Sequence, residues 1–471
     1  MLIINCQLVF NHQSMRQFLF SVLLITASIS VSSAQVVDSY YKSIQPKDNS
    51  PLSRLGFGNI LPQNYISNAG MGGLTAAFRD PLNFNPFNPA SLPALRTASF
   101  EVGLYGKNTN VTDNQGNTGS GASGNLSYIG LGFPMYSVIN EVLDRAPRQL
   151  RWAAGLSLTP YNQVGYNVNT TGPAPNTDSV TVTNYFLGSG GTYKLMISNG
   201  VQYKDFSVGA NIGVVFGEMN YIKQTDLSAD LIYPYKNYFV DHYSMSGFIY
   251  NLGFQYDVEL DKKNAEKLRG RKRLIIGAYG NGATPFTTTS GSLYRRTIPG
   301  FREDTLSSTS DIAGSGRLPS EIVAGISYKN GYAFQIGAEY KYMGWGNDYF
   351  NTVKQDPAID RMLNASVVTL GMEFITDKSL FRSDDSKIRW RLGFHSGKDP
   401  RVLGGEQVNT WGASAGVCMP MKVGRGGQPG YVNFALEYGK LTTVKLSEEY
   451  FRLSAGFTLT DNTWFLKRKY Q

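Results

Sequence analysis

The chain has 471 residues with 44 Lys or Arg against 35 Asp or Glu, a net charge of +9, and only 17% of its residues are charged. A soluble globular domain carries ~25%, and a helical membrane protein would be far more apolar than a mean hydropathy of -0.23. Abundant Gly (51), Tyr (29) and Phe (26) at low charge suit a barrel with one face in lipid and one in water. Of the two Cys, Cys6 falls in a segment expected to be removed. Cys418 alone supports neither a disulfide framework nor a thiolate metal site. The densest basic stretch, Arg269 to Arg273, reads as a solvated turn between strands. It lacks the basic face and readable motifs of a nucleic-acid binder.

The chain opens with targeting signals. Met15-Arg16 precede an apolar run from Phe18 to Val31, and small residues Ser32-Ser33-Ala34 follow. That is the layout of a secretory signal peptide, covering residues 1–34, with Met15 as the better initiator and a cut before Gln35. Beyond it no run of about 18 apolar residues remains from which to build a spanning helix.

Residues 35–96 do not alternate. They are dense in Gly, Pro and Asn: Ser53-Arg54-Leu55-Gly56-Phe57-Gly58, then Gly70-Met71-Gly72-Gly73, then Asn85-Pro86-Phe87-Asn88-Pro89-Ala90-Ser91-Leu92. An irregular segment this long calls for a function, and a plug inside a barrel would give its backbone partners.

From residue 97 to residue 471 the chain is a succession of dyad-patterned segments, as strands require. Between Lys387 and His395, Ile388, Trp390, Leu392 and Phe394 form one face; Lys387, Arg389, Arg391, Gly393 and His395 form the other. Tyr332 to Tyr342 and Phe206 to Gly217 behave alike. A soluble sandwich also alternates, but its inner face is aliphatic. Here the polar face carries Gly, Ser and charge, the apolar face carries aromatics, and the segments run ~10 residues, the length of a tilted membrane strand. Trp152, Trp345, Trp411 and Tyr438 stand at segment ends, where interfacial girdles form. The expected fold is therefore all-β: a transmembrane antiparallel barrel of about 14 strands with the N-terminal segment in its lumen. Asn108 to Ser123, Tyr161 to Asp178 and Pro299 to Pro319 are expected as long polar loops, and Asn330-Gly331 as a tight hairpin.

Gly70-Met71-Gly72-Gly73-Leu74 followed by Asn88-Pro89-Ala90-Ser91-Leu92 just before the first strand resembles the N-terminal hatch of the FadL/TodX-type outer-membrane transporters. Ser189-Gly190-Gly191 and Val215-Phe216-Gly217 are similar to the middle region of that family. The resemblance implies a 14-stranded barrel of the bacterial outer membrane, blocked by a hatch. It also implies uptake of long-chain fatty acids or other hydrophobic compounds, which leave sideways through a kinked strand. The hatch here is longer than the family's, with an added Leu52-to-Ile60 motif, and the chain runs on past its last strand as Thr460 to Gln471. A branch of the same superfamily serves type IX secretion as a carrier, so an outer-membrane interaction protein with a protein partner stays open beside a transporter. A non-specific porin fits less well, because the hatch would block a water channel.

The polar parities place Arg389, Arg391, His395 and Glu339 toward the lumen. Arg matches a carboxylate bidentately, so Arg389 and Arg391 are candidates for a ligand head group; pairing with Glu339, Glu373, Glu437 or the hatch is their alternative. Gly72, Gly73, Asn88, Pro89 and Ala90 are the candidate hatch residues. The mature chain holds only His242 and His395 as imidazole bases and has no Gly-x-Ser-x-Gly elbow, so no enzyme is expected, and no cofactor or metal. The expected partners are a hydrophobic small molecule and outer-membrane lipid.

Overall fold

The computed structural model describes residues 48–136, 149–174, 177–227, 236–261, 272–297, 303–331, 333–375, 387–423 and 428–461. The expected signal peptide and the first part of the expected hatch, residues 35–47, lie outside them.

Fourteen antiparallel strands close into one barrel. They are β1 (Ala98–Asp113), β2 (Thr118–Pro134), β3 (Leu150–Gln163, resuming as Tyr166–Ala174), β4 (Thr177–Tyr203), β5 (Phe206–Leu227), β6 (Lys236–Glu259) and β7 (Lys272–Asn281, resuming as Thr284–Thr297). The circuit continues with β8 (Asp304–Leu318, resuming as Glu321–Asn330), β9 (Phe334–Met343), β10 (Ala365–Ile375), β11 (Arg389–Leu403), β12 (Glu406–Val423), β13 (Gln428–Thr442) and β14 (Leu446–Asp461). The circuit closes where β14 lies against β1, from Asp461 opposite Ala98 to Leu446 opposite Asp113. Closure leaves no open edge at bilayer depth, which a membrane strand cannot tolerate.

Polarity is inverted relative to a soluble protein. On β11, Trp390, Leu392 and Phe394 are exposed while Arg389 and Arg391 are buried; on β9, Ile336 and Tyr340 are exposed while Gln335 and Glu339 are buried. The parities read from the sequence hold on both strands. Lipid satisfies the outer face, and the inner face packs on the hatch.

Several strands outrun the bilayer. β4, β5 and β6 have 27, 22 and 24 residues, where about 9–11 suffice to cross. The three stretches expected as loops are largely strand: the distal halves of β1 and β2, the second piece of β3 and the first piece of β8. Both faces of such a ribbon meet water, so no hydrophobic alternation marks it. The Asn330-Gly331 turn is tight as expected, with Asn330 opposite Phe334 and Gly331 at φ 55°.

Trp345 is a correction. It does not join an interfacial girdle but is 1% exposed. The one-turn helix Trp345–Asp348 that follows β9 folds into the barrel mouth, where its indole packs 5.5 Å from the Phe57 ring of the hatch. Trp152, Trp411 and Tyr438 are exposed on the outside.

The hatch crosses the lumen through a 3-10 turn (Pro51–Arg54), a two-residue bridge to β3 (Asn59–Ile60), a helical turn (Ile66–Ala69) and a second 3-10 turn (Pro89–Ala94). It seats on rows of glycine in the wall. Gly200, Gly209 and Gly253 are register partners on β4, β5 and β6, and a Cβ on any of them would collide with Asn88 or Pro89. Gly337, Gly371 and Gly393 form a second row on β9, β10 and β11, against Met71, Gly72 and Leu74. Without side chains the wall lets hatch backbone approach closely.

Candidate functional site

The hatch motif is held from both ends. Asn88 caps the second 3-10 turn by accepting from the Ala90 N–H at 3.1 Å, and its amide donates to the Ala76 carbonyl at 2.7 Å. Asn211 and Asn251 of the wall donate to the carbonyls of Pro86 and Phe87 at 2.7 and 2.8 Å. Pro89 needs no donor partner at the first position of the turn. At the other end Gly72 (φ 73°) and Gly73 (φ 94°) take left-handed conformations open to glycine, and the Gly72 N–H donates to Ser414 at 3.0 Å.

Glu339 belongs to this same joint. One carboxylate oxygen accepts from the N–H of Thr75 at 2.7 Å and of Ala76 at 2.6 Å, and the other accepts from the Thr75 hydroxyl at 3.1 Å. The wall therefore satisfies two hatch amides that have no strand or helix of their own.

Arg389 and Arg391 are buried, 3% and 2% exposed. Arg389 donates to Asp80 of the hatch at 2.7 Å. Arg391 donates to Glu373 at 2.7 Å and to Asn433 at 2.8 Å. Burial by itself raises the Asp80 carboxyl, but Arg389 and Lys329 outweigh it and hold it below the usual carboxylate range. Of the two alternatives the sequence left for these arginines, pairing with the hatch and the wall is the one the geometry displays. Asp80, the partner the sequence reading missed, sits in a stretch whose composition marks only a turn.

A cavity of about 180 Å³ lies between hatch and wall, and Gly72, Gly73, Glu339 and His395 reach its surface. Ile60, Leu61, Met343, Val367 and Leu441 give it apolar patches, and charges of both signs line it as well, among them Lys107, Lys341, Lys398, Glu437 and Arg452. Lys341 pairs with Glu321 at 2.9 Å and Arg452 with Glu437 at 3.6 Å. His395 is half-buried, and among the described residues no carboxylate lies within ion-pair distance of it. The second histidine, His242, lies on β6 and meets Asn220 at 2.6 Å.

The wall is interrupted beside this cavity. β2 pairs with β3 only from Pro134 opposite Ala153 to Ile129 opposite Leu158. Beyond that point β2 continues along β1 and β3 along β4, but β2 and β3 part. Continuing their register would set Ser127 opposite Pro160 and Asn125 opposite Asn162. Ser127 and Pro160 instead line a small cavity that shares Leu61 and Arg452 with the lumen cavity. Asn125, Pro160 and Asn162 line a notch of about 370 Å³ in the wall. A bulge at Pro160 opens β3, and Gly190 (φ 102°) on β4 lines the notch. Tyr105 bridges this region, its hydroxyl donating to Gln163 at 3.1 Å. Lumen cavity, small cavity and notch thus adjoin in series.

A hatch-plugged, closed barrel of fourteen antiparallel strands is the fold of the FadL-type outer-membrane transporters. The family profile described as BamG matches residues 26–471, and the chain belongs to the BamG family. No curated protein matches. Among solved structures, a FadL homologue of Pseudomonas aeruginosa is similar with 14% identity and a TM-score of 0.53, covering 85% of this chain and 99% of its own. The toluene transporter TbuX of Ralstonia pickettii has 15% identity and a TM-score of 0.49, covering 85% and 99%. The monoaromatic hydrocarbon channel CymD has 16% identity and a TM-score of 0.47, covering 86% and 98%. At these identities the likeness is one of fold.

Proposed function

We propose that this protein is a passive transporter of hydrophobic small molecules in the bacterial outer membrane, releasing them sideways through the seam between β2 and β3. The observation that carries the reading is the series of cavities from lumen to wall, at a place where two neighbouring barrel strands part. Size narrows the cargo. A dry cavity of ~150 Å³ accommodates benzene, so about 180 Å³ suits a single ring or a short chain better than an extended fatty acid. A long-chain acid would have to lay its tail through the seam into the notch. His395 is the polar contact assigned to a ligand hydroxyl or carboxylate. Arg389 is assigned to hatch retention through Asp80, and Arg391 to bracing the wall through Glu373 and Asn433.

The test is native mass spectrometry of the folded barrel exposed to single-ring aromatics and to fatty acids of graded length. Retention of ring compounds, weakened by His395→Ala and untouched by His242→Ala, supports the reading. Retention of none, with a protein co-purifying in fixed ratio, overturns it. That second outcome belongs to a reading with its own observation: β4, β5 and β6 stand well clear of the bilayer as a broad ribbon, a platform suited to an outer-membrane interaction or secretion-carrier protein.

A further inference from the structure

Seven residues beyond the last β2–β3 pair, from Ile129 to Ala122 on one strand and from Leu158 to Gly165 on the other, the interrupted register would bring Ala122 opposite Gly165. Hatch backbone lies there instead. Asn49 donates through its side chain to the Ala122 carbonyl at 2.7 Å, and the Ser50 N–H donates to the Gly165 carbonyl at 2.9 Å. Ser53 adds two bonds to Gly165, accepting from its N–H at 3.0 Å and donating to its carbonyl at 3.1 Å. The hatch segment thus stands in for the missing strand contact, one bonding partner on each side.

The same segment is fixed from inside the barrel by a buried charge cluster. Lys107 of β1 reaches Asp48 of the hatch and Glu448 of β14, both at 3.3 Å. Ser50 donates to Glu448 at 2.5 Å, and Asn59 donates to the other oxygen of Asp48 at 2.7 Å. Asp48, Ser50, Lys107 and Glu448 are all at most 4% exposed. A single ammonium thus holds two buried carboxylates, one on the moving part and one on the wall. Removing it would leave both without their ion-pair partner, held only by Ser50, by Asn59 and by the field of buried Arg401.

The geometry points to residues Asp48–Ser53 as a strap that closes the β2–β3 seam, latched by Lys107 and Glu448 and released by breaking that latch. This rests on the transport reading only for what passes the seam, not for the strap itself. With the strap in place the unpaired stretch is bounded at Leu158 and again at Gly165. With it withdrawn the bound at Gly165 is gone and the notch opens along the distal half of β3.

The test uses the full-length folded barrel with Asn49→Cys and Gly121→Cys. A Cβ on residue 121 would stand 2.7 Å from that of Asn49, so a small shift brings the pair into disulfide range, while native Cys418 is buried at 1%. Oxidation should bridge the pair almost completely, and absence of a bridge in folded protein overturns the proposal. Adding Lys107→Met should slow bridging at least about tenfold as the strap leaves the seam; an unchanged rate also overturns it. Barrel integrity is read by the heat-dependent gel shift, and if Lys107→Met does not fold, Ser50→Ala replaces it with a few-fold slowing expected. The third arm follows release of bound 4-ethylphenol by NMR from oxidised and reduced protein. Slower release when bridged supports a gate on the cargo path, and equal release overturns it. No binding in either state, with the first two arms as expected, refutes the transport reading and leaves the strap standing.

Discussion

Glu339 separates a wall that binds cargo from a wall that binds its own hatch. Replacing it by Ala strands the N–H groups of Thr75 and Ala76, which its carboxylate accepts at 2.7 and 2.6 Å. The Thr75 hydroxyl keeps Tyr279 at 2.8 Å and adds nothing to the loss. A buried donor without a partner costs ~1–3 kcal/mol, so two strand about 4 kcal/mol of hatch docking. Gln keeps one carbonyl oxygen where both amides meet and loses mainly the charge assistance, worth roughly half of such bonds, or about 1–2 kcal/mol. Native-state hydrogen exchange at Thr75 and Ala76 reads this directly: about a thousandfold faster in Glu339→Ala and about tenfold in Glu339→Gln if local opening governs exchange. Exchange within threefold of wild type in Glu339→Ala, or equal effects of Ala and Gln, would refute the anchoring argument.

Other perturbations follow from the same joints. Gly393→Ala puts a Cβ inside the contact distance of the Gly72 backbone and should weaken hatch docking by about 1–3 kcal/mol, whereas Gly106→Ala, with nothing within 4 Å of its Cβ, should leave protease resistance of the hatch unchanged. Asp80 is depressed in the folded protein by Arg389 and Lys329 against the pull of burial, so its contribution is complete above the ordinary carboxylate pKa and lost as pH falls through the depressed one; hatch proteolysis should accelerate below about pH 4, and Asp80→Asn should flatten the part of that dependence that Arg389 supplies. Lys354, in the stretch between the Trp345–Asp348 helix and β10, donates to Tyr221 at 2.6 Å and to the Gly56 carbonyl at 3.2 Å, so Lys354→Met should raise cleavage near residue 354 without altering the barrel's gel shift.

How far the sequence could be read depended on whether a strand has two different solvents. β9, β11 and β13 alternate sharply because Ile336, Trp390 and Leu436 meet lipid while Glu339, Arg391 and Glu437 face the hatch and lumen. The distal halves of β1, β2 and β8 meet water on both faces, so stretches such as Ser307 to Gly316 carry only loop composition, and their strand character comes from neighbours. Trp345 failed for a related reason: its position at a segment end is that of a girdle residue, but the fold of the following loop decides which way it turns. The hatch was legible through Asn88-Pro89-Ala90 and its glycines. Its partners were not, because Thr75 and Glu339 lie 264 residues apart and no local pattern specifies such a pair. Hence the sequence pointed to four polar lumen residues but not to their partners: Glu339 and Arg389 bond the hatch, Arg391 bonds Glu373 and Asn433 of the wall, and Glu339 and His395 reach the cavity.

That division bears on how anything could pass. Moving the hatch as one body would break Glu339 from Thr75 and Ala76, Asp80 from Arg389, Arg79 from Asp257 at 3.8 Å, and Asn88 from its seat on β6. At about 2–3 kcal/mol for each charged or buried contact, the sum is about 10 kcal/mol, a population near one in ten million. Lifting only Asp48–Ser53 leaves those contacts in place but breaks its own, Asp48 from Lys107 and Asn59, Ser50 from Glu448, and Ser50 and Ser53 from Gly165, so the strap stays shut until its latch is released. The glycine rows under Asn88 and Gly72 reinforce the contrast, since backbone seated on backbone has no side chain to swing aside. Backbone seating along β4–β6 and β9–β11 thus holds the body of the hatch, whereas the strap over the β2–β3 seam hangs on side chains of one charge cluster, so a single change at Lys107 can free the seam while the rest stays docked.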